Sequence, residues 1–314
     1  TIVASGGADE GTGWSYSNGV IRPTSSSAVN VNASAVLSKL NINHLTIEAS
    51  SIAVNTSVTS TYANDLTLKA TGNITLAASS SISTNGGDVT FWADSDASGT
   101  ATTAGGTIAL LDTSTITSNG GDIILGGGAD GNTDGIPDGY AIGAYQTNAH
   151  GLTNATAGIT LDNSIINSGV GNVIIRGQGT GSLTNYQIGN RLYGGSISGK
   201  DINIAGIGSI NGSSSSSWGL SLEGFSIEGS GNIIVTGTGG QAGSSNSDYN
   251  QAGVEIRKAS DTGDDSQVSA TGNGTISING QGGSGPQANH SNDDSFSAGI
   301  RVIAGQTNPI QSQD

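Results

Sequence analysis

Apolar residues along this chain come in short alternating runs, and no stretch repeats them with a helical period. Each run is two or three residues of Ile, Val or Leu bounded by Gly, Asn, Asp and Ser, which is strand chemistry closed by turn chemistry. The runs recur in a fixed order. Residues 72–91 read GNITLAASSSISTNGGDVTF and residues 106–125 read GTIALLDTSTITSNGGDIIL, aligned without a gap. Residues 158–175 and 219–235 align with the same frame after one deletion.

Three series of strand seeds follow from this alignment. The first holds Ile52, Ile74, Ile108, Ile159, Leu220, Val254 and Ile300, each followed two positions later by another aliphatic residue. Ile188 is expected to supply a missing member. The second series has one apolar residue among small polar ones: Val58, Ile82, Ile116, Ile166, Ile197, Ile227 and Val268. The third opens at Leu45, Leu66, Val89, Ile123, Val173, Ile202, Ile233 and Ile276, usually just after Asp or Asn. Spacing from first to second series is mostly 6–8 residues and from second to third 5–8, whereas the step from the third series to the next first series varies widely. Two corners are therefore tight and one accepts insertions. The pattern predicts an all-β chain, a right-handed parallel β-helix or β-solenoid with three short strands per rung and one variable corner. A lone rung buries too little to offset its ordering entropy, so the rungs must stack.

The expected organisation is an incomplete rung or cap over residues 1–27, a β-helix over 28–303 and a linker over 304–314. Val29, Leu37 and Leu45 are read as an early rung, with Trp14 to Ile21 as an incomplete one before it. Long insertions are expected at 92–107, 126–158 and 236–253. Ile300-Arg301-Val302 is read as opening a rung with no second- or third-series strand after it. The chain is expected to be a piece of a longer polypeptide.

The GNITL…SISTNGGDVTF cadence, with HLTIEA and DLTLKATGNI before it, resembles the filamentous-haemagglutinin-like exoproteins and related giant bacterial adhesins over residues 20–303. That resemblance implies export, an extracellular or bacterial cell-surface location, and adhesion or matrix building. Expected partners are neighbouring rungs or copies of the same protein, and host or extracellular glycans. It carries no catalytic residues to transfer, so the chain is not expected to be an enzyme.

Composition narrows the partners further. Nine Lys+Arg stand against 24 Asp+Glu, for a net charge of −15, which repels nucleic acid and anionic membrane surfaces. No apolar run approaches the length of a membrane helix, so direct membrane insertion is not expected. There is no Cys, so there are no disulfides and no thiol chemistry.

The sharpest local motif is Asp130-Gly131-Asn132-Thr133-Asp134-Gly135-Ile136-Pro137-Asp138. Oxygen side chains at positions 1, 3, 5 and 9 with Gly at 6 follow the first part of an EF-hand-type loop. It also resembles thrombospondin type 3 calcium loops. Asp130, Asn132, Asp134 and Asp138, with the Ile136 carbonyl, are the expected ligands of a structural Ca²⁺. The twelfth position is Ala141, so the usual bidentate Glu is absent.

Other candidates are weaker. Asp65, Asp88, Asp122, Asn172, Asp201 and Asn232 precede third-series strands and would form a column on one corner if the rungs stack. They read as Asx turns capping their own backbone, with a cation ladder as the alternative. Thr46, Thr67 and Thr90 face outward but give way to Ile124, Ile174 and Ile234, an apolar row suited to packing against loops or another rod. His44, His150 and His290 are scattered and form no zinc motif. The alternative function is a carbohydrate-active enzyme using Asp162 and Glu223. These lie about two strand spacings apart, near 10 Å, with no basic partner nearby in sequence. A glycan-binding module would instead use Trp92, Trp218, Tyr140, Tyr145 or Tyr249 in corner loops.

Overall fold

A computed structural model describes residues 2–5, 13–100, 102–143, 145–147, 155–180, 186–209, 216–241, 251–284, 298–303 and 309–312. The described chain is all-β apart from one short helix. Its strands form three stacked parallel sheets, the arrangement of a β-solenoid. The chain passes from the first sheet to the second, then to the third, and back to the first. Inward positions alternate with outward ones, as in Leu66–Ala70, and the inward aliphatics merge into one core running from Ile2 to Ala270.

The register follows the three series. Leu45, Leu66, Val89, Ile123, Val173, Ile202, Ile233 and Ile276 are direct neighbours down the third sheet. Val58, Ile82, Ile116, Ile166, Ile197, Ile227 and Val268 align down the second. A slip of one residue would turn each aliphatic side chain out to solvent, so the alternating pattern pins this register.

The first sheet departs from expectation at one member. Asn190, not Ile188, pairs with Ile159 and Leu220, and Leu192 pairs with Leu161 and Leu222. Ile188 lies two residues earlier in the same strand, beside Ala157 and Trp218. The reason is a glycine seam. Gly158, Gly189, Gly219 and Gly253 in the first sheet press against Gly177, Gly206 and Gly237 in the third. A Cβ on Gly206 would lie 2.0 Å from the Gly219 carbonyl oxygen, and one on Gly237 1.9 Å from that of Gly253. The two backbones touch there, the main core ends, and a second small cluster of Ala157, Ile188, Trp218 and Ala252 forms beyond it.

The three expected long insertions all leave at the corner connecting the third sheet to the first, but the strands run further than expected. Val89–Ala93, Ile123–Gly127 and Ile233–Thr238 absorb the starts of the three insertions, and Ala155–Asp162 absorbs the end of the second. In five repeats the corner between first and second sheets is tight because one residue takes a left-handed conformation, whereas residues 258–266 make a longer loop between Val254–Arg257 and Gln267–Ala270. The left-handed residues are Ser79, Thr113, Asn163, Gly194 and Gly224, with φ between 46° and 62°. Ser80, Ser114, Ser164 and Gly195 follow the first four and Phe225 the last, and Gly195 leaves room for the buried Phe225 ring, whose Cε2 would sit 3.0 Å from a Cβ there.

Both ends differ from the sequence reading. Leu37 is not in a strand: Ala33–Leu40 is an α-helix, with the Asn32 side chain accepting from Ser34 N–H at 2.8 Å and with Val36 and Leu40 buried. An Asn N-cap followed by apolar residues four apart outweighs the strand spacing. The helix packs against Val58–Thr59, the first strand of the second sheet. Trp14–Ser17 and Val20–Pro23 form an antiparallel hairpin on the edge of the third sheet. Its two-residue turn, Asn18-Gly19, has φ of 51° and 78°, the turn type this dipeptide favours. Ile2–Ser5 lies between Val29–Asn32 and Ile52–Val54 in the first sheet. At the other end, a second-sheet strand does follow Ile300–Val302: Ile310–Ser312 pairs with Gln267–Ala270.

Candidate functional site

The densest chemistry lies on the outer face of the first sheet. Strand alternation turns Arg191, Ser221, Glu255 and Arg301 outward in one column and Tyr193, Glu223 and Arg257 in the next. Arg257 Nη2 reaches Glu223 Oε2 at 2.7 Å, and Arg191 Nε lies 3.5 Å from Glu223 Oε1. Ser221 Oγ donates to Glu223 Oε1 at 3.0 Å. Glu255 stands between Arg257 Nε at 3.7 Å and Arg301 Nη1 at 3.0 Å. The result is a chain of alternating charge: Arg191, Glu223, Arg257, Glu255, Arg301. The side chains of Arg191, Glu223 and Glu255 are fully buried. The Tyr193 hydroxyl donates to the Asp261 carboxylate, which ties the loop after Lys258 to the same face.

Asp162 and Glu223 do flank one intervening strand, through Tyr193, as the sequence suggested. Folding adds what the sequence hid, since stacking brings Arg191 and Arg257 to Glu223. Both Glu223 oxygens are engaged. A general acid, base or nucleophile needs an oxygen presented to substrate, and this geometry favours charge pairing instead.

On the third sheet, residues 128–139 fold back over the outer face. Trp92 Nε1 donates to the Gly128 carbonyl at 2.7 Å, and Arg176 Nη1 donates to the carbonyls of Pro137 and Asp138, each at 3.2 Å. Within the loop, Asp130 accepts from Asp134 N–H at 3.1 Å and Gly135 N–H at 2.8 Å. Asp134 accepts from Ile136 N–H at 2.9 Å, and Asp138 from Gly131 and Asn132 N–H at 2.8 and 3.2 Å. The carboxylates thus hold the turns of this loop. No group of three acidic or histidine side chains within ligating reach occurs among the described residues. An oxygen-only donor set suits calcium, and each carboxylate keeps lone pairs beyond its N–H bonds.

The Asx column is a ladder between repeats rather than a set of self-capping turns. Asp65 Oδ1 accepts from Asp88 N–H at 2.8 Å, Asp88 from Asp122 N–H at 2.7 Å, and Asp122 from Asn172 N–H at 2.7 Å. Asn172, Asp201 and Asn232 continue it to Thr275. Parallel stacking puts each side chain closer to the next repeat's N–H than to its own. Burial pushes the Asp88 carboxyl above the usual carboxylate range, against the Asp122 N–H bond that lowers it. The charges of Asp65 and Asp122 add to the rise, and His44 opposes it.

The remaining candidates separate. Trp92 and Trp218 lie in strands and are 5% and 2% exposed, so neither ring is free to stack on a sugar. Tyr140 is half-buried. Tyr249, His150, His290 and the Tyr145 side chain lie outside the described residues. His44 Nδ1 accepts from Asp65 N–H at 3.1 Å. In the outward Ile row, Ile124 is buried, Ile174 half-buried and Ile234 42% exposed. The shorter Asn203 between the last two leaves a depression of about 270 Å³.

The sequence reading missed the Arg–Glu chain because its members come from four strands, and it also passed over Asp94. Asp94 opens a DSDASG segment with the spacing of the 130–135 loop, and that spacing was the available signal. Compared with known proteins, the chain matches no family model, no curated protein and no solved structure.

Proposed function

We propose that the chain is a structural and adhesive segment of a large secreted bacterial surface protein, similar to the filamentous-haemagglutinin-like exoproteins. In this reading it is a right-handed β-solenoid with three short strands per rung, placed outside the cell, and it builds a rod that mediates adhesion or matrix assembly. The observation that carries the reading is the Arg191–Glu223–Arg257–Glu255–Arg301 chain. The carboxylates that stacking gathers on one face are spent on arginines and closed to solvent, which suits a stack that must hold rather than a cleft that must turn over. Ile300, Val302 and Ile310 are 43–48% exposed while their strand neighbours Val254, Ile256 and Val268 are buried. That contrast supports further rungs or another copy as a partner. Calcium at Asp130, Asn132, Asp134, Asp138 and the Ile136 carbonyl belongs to the same proposal, as a stiffener of the loop over Trp92.

The alternative is a carbohydrate-active enzyme or a glycan-binding module. Incubation with a panel of bacterial and host polysaccharides separates the readings. Retention of glycan, or no interaction, without new reducing ends or unsaturated products is expected. Turnover that disappears in Glu223→Gln would overturn the structural reading. For calcium, calorimetry should show less uptake by Asp134→Ala than by the parent, and equal uptake would remove that site.

A further inference from the structure

A second acidic loop opens where Val89–Ala93 leaves the third sheet. Asp94-Ser95-Asp96-Ala97-Ser98-Gly99 places oxygen side chains at positions 1, 3 and 5 and Gly at 6, the frame of Asp130 to Gly135. The two loops are wound alike. Gly99 N–H donates to Asp94 Oδ1 at 2.9 Å, as Gly135 N–H does to Asp130 at 2.8 Å. Ser98 N–H donates to Asp96 Oδ1 at 3.3 Å, as Asp134 N–H does to Asn132 Oδ1 at 3.1 Å. These are turn bonds and by themselves name no ligand.

Burial separates the two loops. Asp130 is half-buried and both of its carboxylate oxygens accept N–H bonds, whereas Asp94 is 0% exposed and its Oδ2 has no hydrogen-bond partner. Only a glycine fits beside that oxygen, since a Cβ on Gly99 would lie 2.5 Å from Oδ2 and 2.9 Å from Ile142 Cβ. A buried carboxylate oxygen left without a partner is costly. A proton does not complete the site, because an O–H on Oδ2 would still need an acceptor. A cation does.

We propose that residues 94–99 bind a hard divalent cation of the calcium class, held by Asp94 Oδ2, the Asp96 carboxylate and the Ser98 hydroxyl. Asp96 and Ser98 are exposed, so water has access to fill the rest of an oxygen shell. The Asp94 carbonyl already accepts from Ala97 N–H at 2.8 Å and Gly128 N–H at 3.2 Å. A cation here ties the first long insertion to the start of the second. The site does not depend on calcium at 130–138.

Calorimetry with calcium chloride on the chelator-treated full chain tests it. Asp134→Ala should retain one equivalent of calcium, held by the 94–99 loop. Adding Asp94→Asn or Asp96→Ala to that background should weaken the remaining binding at least tenfold and abolish the calcium-induced rise in Tm. Asp96 is exposed, so its variant tests the site even if Asp94→Asn folds poorly. No calcium uptake by Asp134→Ala, or uptake unchanged by Asp96→Ala in that background, would overturn the proposal. Parent-level uptake in Asp134→Ala that is lost in Asp96→Ala would instead discard the 130–138 loop and keep this one.

Discussion

Two columns of charge run along this molecule, and they solve the same problem in opposite ways. On the first sheet, Arg191, Glu223, Arg257, Glu255 and Arg301 alternate in sign; Arg191, Glu223 and Glu255 are fully buried, while Arg257 and Arg301 stay partly open to water. At the corner before the third sheet, Asp65, Asp88 and Asp122 stack with like sign and stay partly open to water. Each like-charged member survives because it accepts a backbone N–H from the next repeat. Further along, Asn172 and Asn232 alternate with Asp201, which removes the repulsion while keeping the acceptor. A repeat stack thus tolerates buried charge when neighbours alternate in sign. It tolerates like charge only where the backbone supplies donors.

Glu223→Ala is the strongest way to break the comparison. It leaves Arg191 buried without its carboxylate and should destabilise the protein by about 3–5 kcal/mol, read from guanidinium unfolding. Hydrogen exchange should rise first in Tyr186–Tyr193 and Val254–Arg257. A loss below about 1 kcal/mol would mean that the pairing is incidental to the stack.

Asp122→Ala should cost less, about 1–2 kcal/mol. It removes the acceptor for Asn172 N–H at a half-buried corner, where water takes over part of the bond. Asp122→Asn should recover most of the loss, because the ladder needs the oxygen and not the charge. Failure of Asn to rescue would show that the corner depends on the anion.

The smallest effect, and the sharpest in sign, concerns Asp88. Its folded carboxyl titrates above the unfolded value, so the fold favours the protonated form. That advantage is complete below the unfolded value, near pH 4, and is lost as pH rises through the raised folded value. Asp88→Asn keeps the acceptor for Asp122 N–H and discards the charge. The variant should therefore unfold at higher denaturant than the parent at pH 7, and the gap should close below about pH 4. A gap that widens on acidification would reverse the assignment.

The same contrast explains what could be read in advance. The Asx column was visible because Asp or Asn stands one residue before six of the eight third-series strands, a strictly local signature. Its bonding direction was not, since capping its own backbone or the next repeat's is decided only once parallel strands lie about 4.8 Å apart. The N-terminal helix was legible in Asn32, Val36 and Leu40 but was masked by a matching strand spacing. Ile188 was placed in the right strand and the wrong register, because the glycine seam extends that strand beyond the core.

By itself, the sequence determined the strand seeds, their order, the tight corners and the register of the second and third sheets. The physical reason is that a side-chain period of two, with one face buried, leaves a single pairing that hides every aliphatic residue. Only the tertiary structure decided which polar residues meet. Glu223 and Arg257 stand 34 positions apart, and Arg191 lies 32 before Glu223. Insertions of unequal length separate such partners along the chain, and stacking alone makes them neighbours. The buried Asp94 oxygen is of the same kind. Its spacing was written in the chain, but its burial came from Gly99, Gly105 and Ile142 closing around it.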